Sequence, residues 1–282
     1  EVCLVGSEMC IRDRSKKGPK PNMKSIEPAY DKDELLGILS EDLKSAVDIK
    51  EIIARFVDES RFEEFKPLYG SSLVCGWASV HGYQIGIIGN NGPIYPESAE
   101  KGASFIQLCN KRDIPLIFLH NVTGFLVGKD FERQGIIKKG SQLINAVSNS
   151  MVPHITFIVG ASYGAGTYAM SGKAFNNRFT FLWPTAKIAV MGPEQMAGVM
   201  SIVRKAKAKR DGKKFDEKAD DQLKAMVIEY LENLSHGLVA SSMLTDDGII
   251  DPRDTRDVIG FCLSIVCNNV IEGAKEYGVF RL

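Results

Sequence analysis

Residues 115–128, PLIFLHNVTGFLVG, and residues 154–170, HITFIVGASYGAGTYAM, decide the fold. Each starts as an apolar run of strand length and ends in a glycine-rich turn. Between them, residues 130–150 (DFERQGIIKKGSQLINAVSNS) space Ile136, Ile137, Leu143, Ile144 and Val147 at roughly helical intervals, which predicts a helix with one buried face. Strand, turn, helix, strand is the repeat of an α/β fold. Two glycine-rich loops, each on a strand end, point to a site made from backbone amides. The second loop carries Gly160, Gly164 and Gly166 and then enters TYAMSGKAF. Glycine there lets the backbone approach a ligand, and N–H groups at a helix start face developing negative charge. The neighbouring side chains offer no obvious acid, base or nucleophile. A reaction carried by amides and a bound cofactor suits that poverty.

Two other readings use the same letters. GASYG, from Gly160 to Gly164, has the form of a nucleophile elbow after an apolar strand, with Ser162 as nucleophile. Such a serine hydrolase needs a later histidine, and the one histidine after Ser162 is His236, which the pattern QLKAMVIEYLENLSHGL places inside a helix. GAGTYA, from Gly164 to Ala169, has the form of a dinucleotide fingerprint, but no acid stands near the end of FTFLWPT to hold a ribose. His120, beside the first turn, is expected to satisfy its hydrogen bonds locally.

Working outward, residues 16–24 form a basic linker, residues 31–39 and 48–59 short helices, and residues 72–90 a hairpin turning at His81-Gly82. A helix is expected over 96–111 and a buried strand over 114–120. From Pro193 the chain reads as mainly helical, ending in a helix over 255–277. The basic stretch 204–214 (RKAKAKRDGKK) is followed by acids and lacks aromatic platforms, so it reads as a solvated helix rather than a nucleic-acid patch.

Charge is balanced, with 35 basic and 35 acidic residues, which gives no steering toward nucleic acid or an anionic membrane. No apolar run reaches the ~18 residues needed to span a bilayer. The six cysteines make no C-x-x-C pair. Buried reduced thiols, no metal site and a cytoplasmic location are the expectation.

The segments YDKDELLGIL, FKPLYGSSLVCGWASVHGYQIGIIGNNGPI, SAEKGASFIQLCNKRDIPLIFLHNVTGFLVG, QGIIKKGSQLINAV, SYGAGTYAM and FTFLWPTAKIAVMGPEQ resemble the C-terminal half of the carboxyltransferase (beta) subunit of biotin-dependent acyl-CoA carboxylases. NNGPI, the His-Asn-Val-Thr-Gly-Phe turn and GASYGAG resemble the methylcrotonyl-CoA or geranyl-CoA branch. The resemblance implies a crotonase-like α/β fold, a ββα spiral with a mainly helical C-terminal part. It assigns residues 25–282 to the biotin-side carboxyltransferase domain and residues 1–24 to a tail and linker. Within that tail, EVCLVGSEMCIRDR looks like translated sequencing-adapter DNA, and the family's CoA-side half is expected before Ser25.

The implied activity is carboxyl transfer from carboxybiotin to an acyl-CoA, with negative charge developing on the biotin oxygen and on the thioester oxygen. The family binds each with main-chain amides. The turn matching the biotin hole is Ala165-Gly166, with Thr123, Gly124, Phe125, Tyr163 and Gly164 around the biotin and Tyr168 at the acyl group. The implied partners are a biotin carboxylase or biotin carboxyl carrier subunit and further copies in a hexamer. A fragment lacking the CoA half would be nearly inactive alone, and a non-catalytic assembly module is the competing class. With the other half absent, Phe125, Leu126 and Tyr168 should be partly exposed.

Overall fold

His81 and Gly82 both adopt positive φ, 49° and 78°, and so form the tight mirror-image turn that matches strand twist. They join β2 (Leu73–Val80) to β3 (Tyr83–Asn90) in the expected antiparallel hairpin. The Asp58 carboxylate accepts hydrogen bonds from both turn N–H groups, at 3.1 and 2.9 Å, and pairs with Arg256 at 2.8 Å. The computed structural model describes residues 18–39, 47–175 and 177–277. The adapter-like segment, with Cys3 and Cys10, lies outside the described residues, as do residues 278–282 of the assigned domain.

Before the hairpin come α1 (Leu35–Ile38), α2 (Ile49–Ala54) and the short edge strand β1 (Glu63–Glu64). After it come α3 (Pro96–Lys111), β4 (Leu116–Val122), α4 (Lys129–Arg133), α5 (Ile136–Ser148), β5 (His154–Tyr163) and α6 (Ala165–Ala169). Then follow β6 (Phe179–Leu182), β7 (Lys187–Ala189), α7 (Pro193–Arg210), α8 (Glu217–Ser235), α9 (Gly237–Ser242), β8 (Gly248–Ile249) and α10 (Thr255–Val266).

One mixed sheet runs β1-β2-β3-β4-β5-β6-β8, with β7 on the far part of β5. From β3 to β8 the pairings are parallel. Strand residues point alternately to the two faces. Ile117, Leu119, Ile155 and Phe157 pack with Ile49, Ile52 and Leu263, while Phe118 and Ile88 pack with Phe105 of α3 and Leu143 of α5. Both faces are therefore covered, as a parallel sheet requires.

Three sequence expectations need correction. The helix over 130–150 is two helices, because Gly135 turns left-handed (φ 87°) between them and leaves Ile137 on the exposed side. The helix over 48–59 ends at Ala54, and Glu59 (φ 55°) breaks the following turn. The last helix stops at Val266, not residue 277. Beyond it the Asp113 and Asn110 side chains accept from the N–H groups of Gly273 and Ala274, at 2.8 and 3.0 Å, and these bonds replace helical ones. The four described cysteines, Cys75, Cys109, Cys262 and Cys267, are free and buried.

Candidate active site

The parallel register of β4 and β5 brings their C-terminal ends together, from Leu116↔His154 to Val122↔Ser162 with a bulge after His120. Gly164 then reverses the chain at φ 54° and ψ −133°, a region that L side chains avoid. A Cβ there would sit 2.8 Å from the Val190 carbonyl oxygen. Its N–H donates to Ala189 O at 3.0 Å. The next two N–H groups, of Ala165 and Gly166, open α6, where no intrahelical acceptor exists. None is found for them elsewhere among the described residues.

At Gly166 a Cβ would lie 3.0 Å from a Val122 methyl and 3.1 Å from the Gly124 Cα, so the two loops touch backbone to backbone. The first loop is held by Ile94, whose N–H donates to Gly124 O (2.9 Å) and whose carbonyl accepts from Leu126 N (3.1 Å). The half-buried Phe125 ring covers Gly140 of α5, where a Cβ would meet it at 3.0 Å. Phe125, Leu126, Ile137, Gly140, Ile144 and Ala165 line an apolar groove of about 300 Å³.

The structure thus gathers Gly124, Phe125, Ala165 and Gly166 at one place, with Thr123 exposed on the loop and Gly164 behind it. Tyr163 and Tyr168 differ. The Tyr163 ring is buried against Gly192 rather than in the groove. Tyr168 is 49% exposed and meets Phe175 edge to face at 5.9 Å.

Sequence reasoning missed a pair. His120 Nδ1 lies 2.9 Å from Ser162 Oγ, and Ser162 Oγ lies 2.9 Å from Thr167 Oγ1. His120 Nε2 is 2.6 Å from the Met170 carbonyl. Burial, only partly opposed by that carbonyl, pushes the His120 pKa down to about 4. A nucleophile and a base are therefore in contact, which the elbow reading sought at His236. Both are fully buried. The far ring nitrogen faces a main-chain carbonyl instead of an acid, so no substrate reaches Ser162 and no triad forms. His236 lies between α8 and α9 in extended geometry, not inside a helix. No signal in the sequence links residues so far apart as 120 and 162.

The basic stretch 204–214 is the end of α7 and the turn after it, and Arg204 and Lys205 pair with Asp220 and Glu217 of α8 at 2.8 and 3.5 Å. Among the described residues no group of His, Cys, Asp or Glu could hold a metal ion. None of the described helices is long and apolar enough to cross a membrane.

An amide pair at a strand-to-helix turn, on a mixed sheet that is parallel from β3 onward, is the arrangement expected above from the resemblance to crotonase-like carboxyltransferases. Residues 7–280 match the model of the carboxyl transferase domain, and the chain belongs to that family. The match begins inside the segment assigned above to the tail. A probable biotin-dependent acyl-coenzyme A carboxylase beta2 subunit of Mycobacterium tuberculosis is 54% identical over 268 residues, which cover 95% of this chain and 50% of that protein. The solved beta subunit of P. aeruginosa geranyl-CoA carboxylase superposes with a TM-score of 0.83 at 42% identity, covering 93% of this chain and 50% of that one. The transcarboxylase 12S structure, described as a hexamer assembly with hydrolyzed methylmalonyl-coenzyme A bound, gives 0.78 at 30% identity, covering 96% and 51%. The chain spans about half the length of these relatives.

Proposed function

We propose that this chain is the biotin-side half of a carboxyltransferase that moves a carboxyl group from carboxybiotin to an acyl-CoA. The observation that carries the reading is the pair of unpartnered N–H groups at Ala165 and Gly166, beside an apolar groove walled by Phe125. The fit to biotin rests on chemistry present here. A Cβ would collide with the Val190 carbonyl at Gly164 and crowd Val122 and Gly124 at Gly166, the two amides lack a protein acceptor, and the groove suits an apolar ring system. Bound there, carboxybiotin would supply the carboxyl group and, once that is lost, a base for the acyl-CoA.

The protein's part is positioning and electrostatics. The Ala165 and Gly166 amides stabilise negative charge on the biotin oxygen, and they are fixed before the reaction, so no reorganisation is needed. One such donor is worth about 3 kcal/mol in the transition state. Thr123 and Gly124 form the facing wall, and Tyr168, on the open side of α6, is positioned for the acyl group of a bound CoA ester.

The acyl-CoA site and its own amide pair would come from the sequence that relatives carry beyond this half. Methylcrotonyl-CoA or geranyl-CoA fits the branch suggested by NNGPI and GASYGAG, and the higher identity to the geranyl-CoA carboxylase subunit supports it. The partners proposed are a biotin carboxylase or carboxyl carrier subunit and five further copies in a hexamer, the assembly described for transcarboxylase 12S. Val127 and Ile137, exposed at the groove, and Tyr168, exposed on α6, are the apolar residues such neighbours would cover. The free buried thiols fit a reducing compartment, and the cytoplasm is the proposed location.

Ala165→Pro tests the reading cleanly. Proline is tolerated at the first helical position and removes one donor. In the enzyme completed with the CoA-side half, carboxylation should fall by about 10²–10³-fold with circular dichroism unchanged. A folded variant with the normal rate overturns the assignment. If the wild-type chain, so completed, carboxylates nothing yet assembles with a carrier subunit, the assembly-module reading replaces it.

A further inference from the structure

The buried His120–Ser162 contact has the look of catalytic equipment and the wrong surroundings for it. Its hydrogen bonds can be assigned from chemistry. A carbonyl only accepts, so His120 Nε2 donates to Met170 O at 2.6 Å. A neutral imidazole then has its Nδ1 as acceptor, so Ser162 Oγ donates to it at 2.9 Å, and Thr167 Oγ1 donates to Ser162 Oγ at 2.9 Å. The chain starts and ends on the same short element. Thr167 follows Gly166 within α6, and Met170 is the residue that closes α6. His120 stands on β4, three residues before Thr123, and Ser162 stands on β5.

A five-residue helix makes too few internal hydrogen bonds to fix its own orientation. Here one imidazole ties its first turn, through Ser162, and its last carbonyl, directly, to the two strands that carry both loops. A second set holds the residue beyond. Ser171 Oγ bonds His154 Nδ1 at 2.7 Å, and Ser171 O accepts from Thr156 Oγ1 at 2.8 Å and Asn177 Nδ2 at 3.0 Å.

We propose that His120 and Ser162 are positioning residues that set the attitude of α6, and with it the aim of the Ala165 and Gly166 amides toward the Thr123–Phe125 loop. This rests on the biotin-site reading given above for its functional meaning, but the coupling itself is a property of the chain alone. Because the amide of glutamine spaces an acceptor and a donor as the two imidazole nitrogens do, His120→Gln should keep the link. His120→Leu has similar bulk and neither group.

Solution NMR on this chain tests the coupling. The imidazole nitrogens of His120 should show the neutral Nε2–H tautomer at pH 7. Order parameters at Ala165 and Gly166 should sit near the rigid value of ~0.85 in wild type and His120→Gln and fall below ~0.6 in His120→Leu, with β4 and β5 amides unchanged. Biotin titration should shift the Ala165 and Gly166 amide signals in wild type, with affinity about tenfold weaker in His120→Leu and restored in His120→Gln. Thr167→Val, which cuts the hydroxyl link at a half-buried position, should loosen the same two amides if His120→Leu does not fold. A folded His120→Leu or Thr167→Val with wild-type order at Ala165 and Gly166 overturns the positioning role. Rigid wild-type amides that loosen in the variants but never respond to biotin leave that role standing and sink the biotin assignment instead.

Discussion

β5 and α8 are held in the molecule by opposite means. All ten residues of β5 are buried, with helices over one face and α3 and α5 over the other. The nineteen-residue α8 buries only Asp220 and Ser235, and it packs chiefly on α7, which buries Pro193, Ala197 and Ser201. Val199, Met200, Ile202, Val203, Met226 and Tyr230 of this hairpin are exposed. Its one buried charge, Asp220, accepts a hydrogen bond from Ser201 (2.6 Å) and pairs with Arg204 (2.8 Å) and Lys224 (3.1 Å). The strand that carries the site takes its conformation from the core around it. The hairpin takes its conformation from itself and leaves apolar side chains uncovered.

The largest break in that contrast should come from truncation. Phe157, fully buried on β5 and stacked on Phe181 at 5.5 Å, should cost about 3–5 kcal/mol when replaced by alanine. Met226→Ala, on the open face of α8, should stay within about 0.5 kcal/mol. Urea unfolding of both variants measures the difference, and similar midpoints would erase the contrast.

Acid sharpens it. Burial lowers both His120 and His154 from 6.5 to about 4. Between those values the unfolded chain binds protons that the folded chain refuses, so stability should fall as pH drops from about 6.5 to 4, by up to about 3 kcal/mol per histidine. Asp220 behaves differently. The Ser201 hydrogen bond, with Lys224 and Arg204, holds its carboxyl below the usual range, so its contribution is present above pH 3.8 and lost only below it. Amide exchange followed by region should show the sheet weakening first and the hairpin at lower pH. Simultaneous loss would mean that the two regions open as one unit.

A smaller effect is expected at Phe125, whose ring is shared between Gly140 and the groove. Phe125→Ala should lower stability by about 1 kcal/mol, in the ordinary range for a point change, while raising the KM for biotin several-fold. A large fall in thermal midpoint with unchanged KM would make Phe125 a core residue. The smallest effect should be Ser201→Ala, which removes one of the three partners of Asp220 and should speed amide exchange within α7 and α8 without moving the global unfolding midpoint.

What could be read in the sequence follows the range of the forces involved. The His81-Gly82 turn, the start of α3 at Pro96 and the glycine-rich entry to α6 are set by residues within a few positions, and each appeared where expected. Ile136 to Val147 announced a helix, but not its break at Gly135, because a left-handed glycine leaves the apolar spacing intact. The tail after Val266 looked helical because its pattern is permissive, and side chains more than a hundred residues away decide otherwise. For the candidate site, the family resemblance pointed to Ala165 and Gly166, and the residues alone showed only that amides rather than side chains were on offer. His120 was expected to satisfy its hydrogen bonds locally, but its partners, Ser162 and the Met170 carbonyl, stand 42 and 50 residues along the chain. They were not legible, because pairing with Ser162 depends on strand register across the intervening helices.

The last strand of the sheet carries a different lesson. β8 returns to pair with β6, Phe181↔Gly248 and Leu182↔Ile249, after the whole α7–α9 excursion. Its two ends are thus fixed side by side by the sheet, and what lies between them closes a loop. Closure entropy grows only with the logarithm of loop length, about 0.6 kcal/mol per doubling. Lengthening or shortening the excursion therefore barely taxes the fold, and natural selection is free to vary it. Homologous chains should differ most in residue count between these strands while keeping the same two ladder pairs.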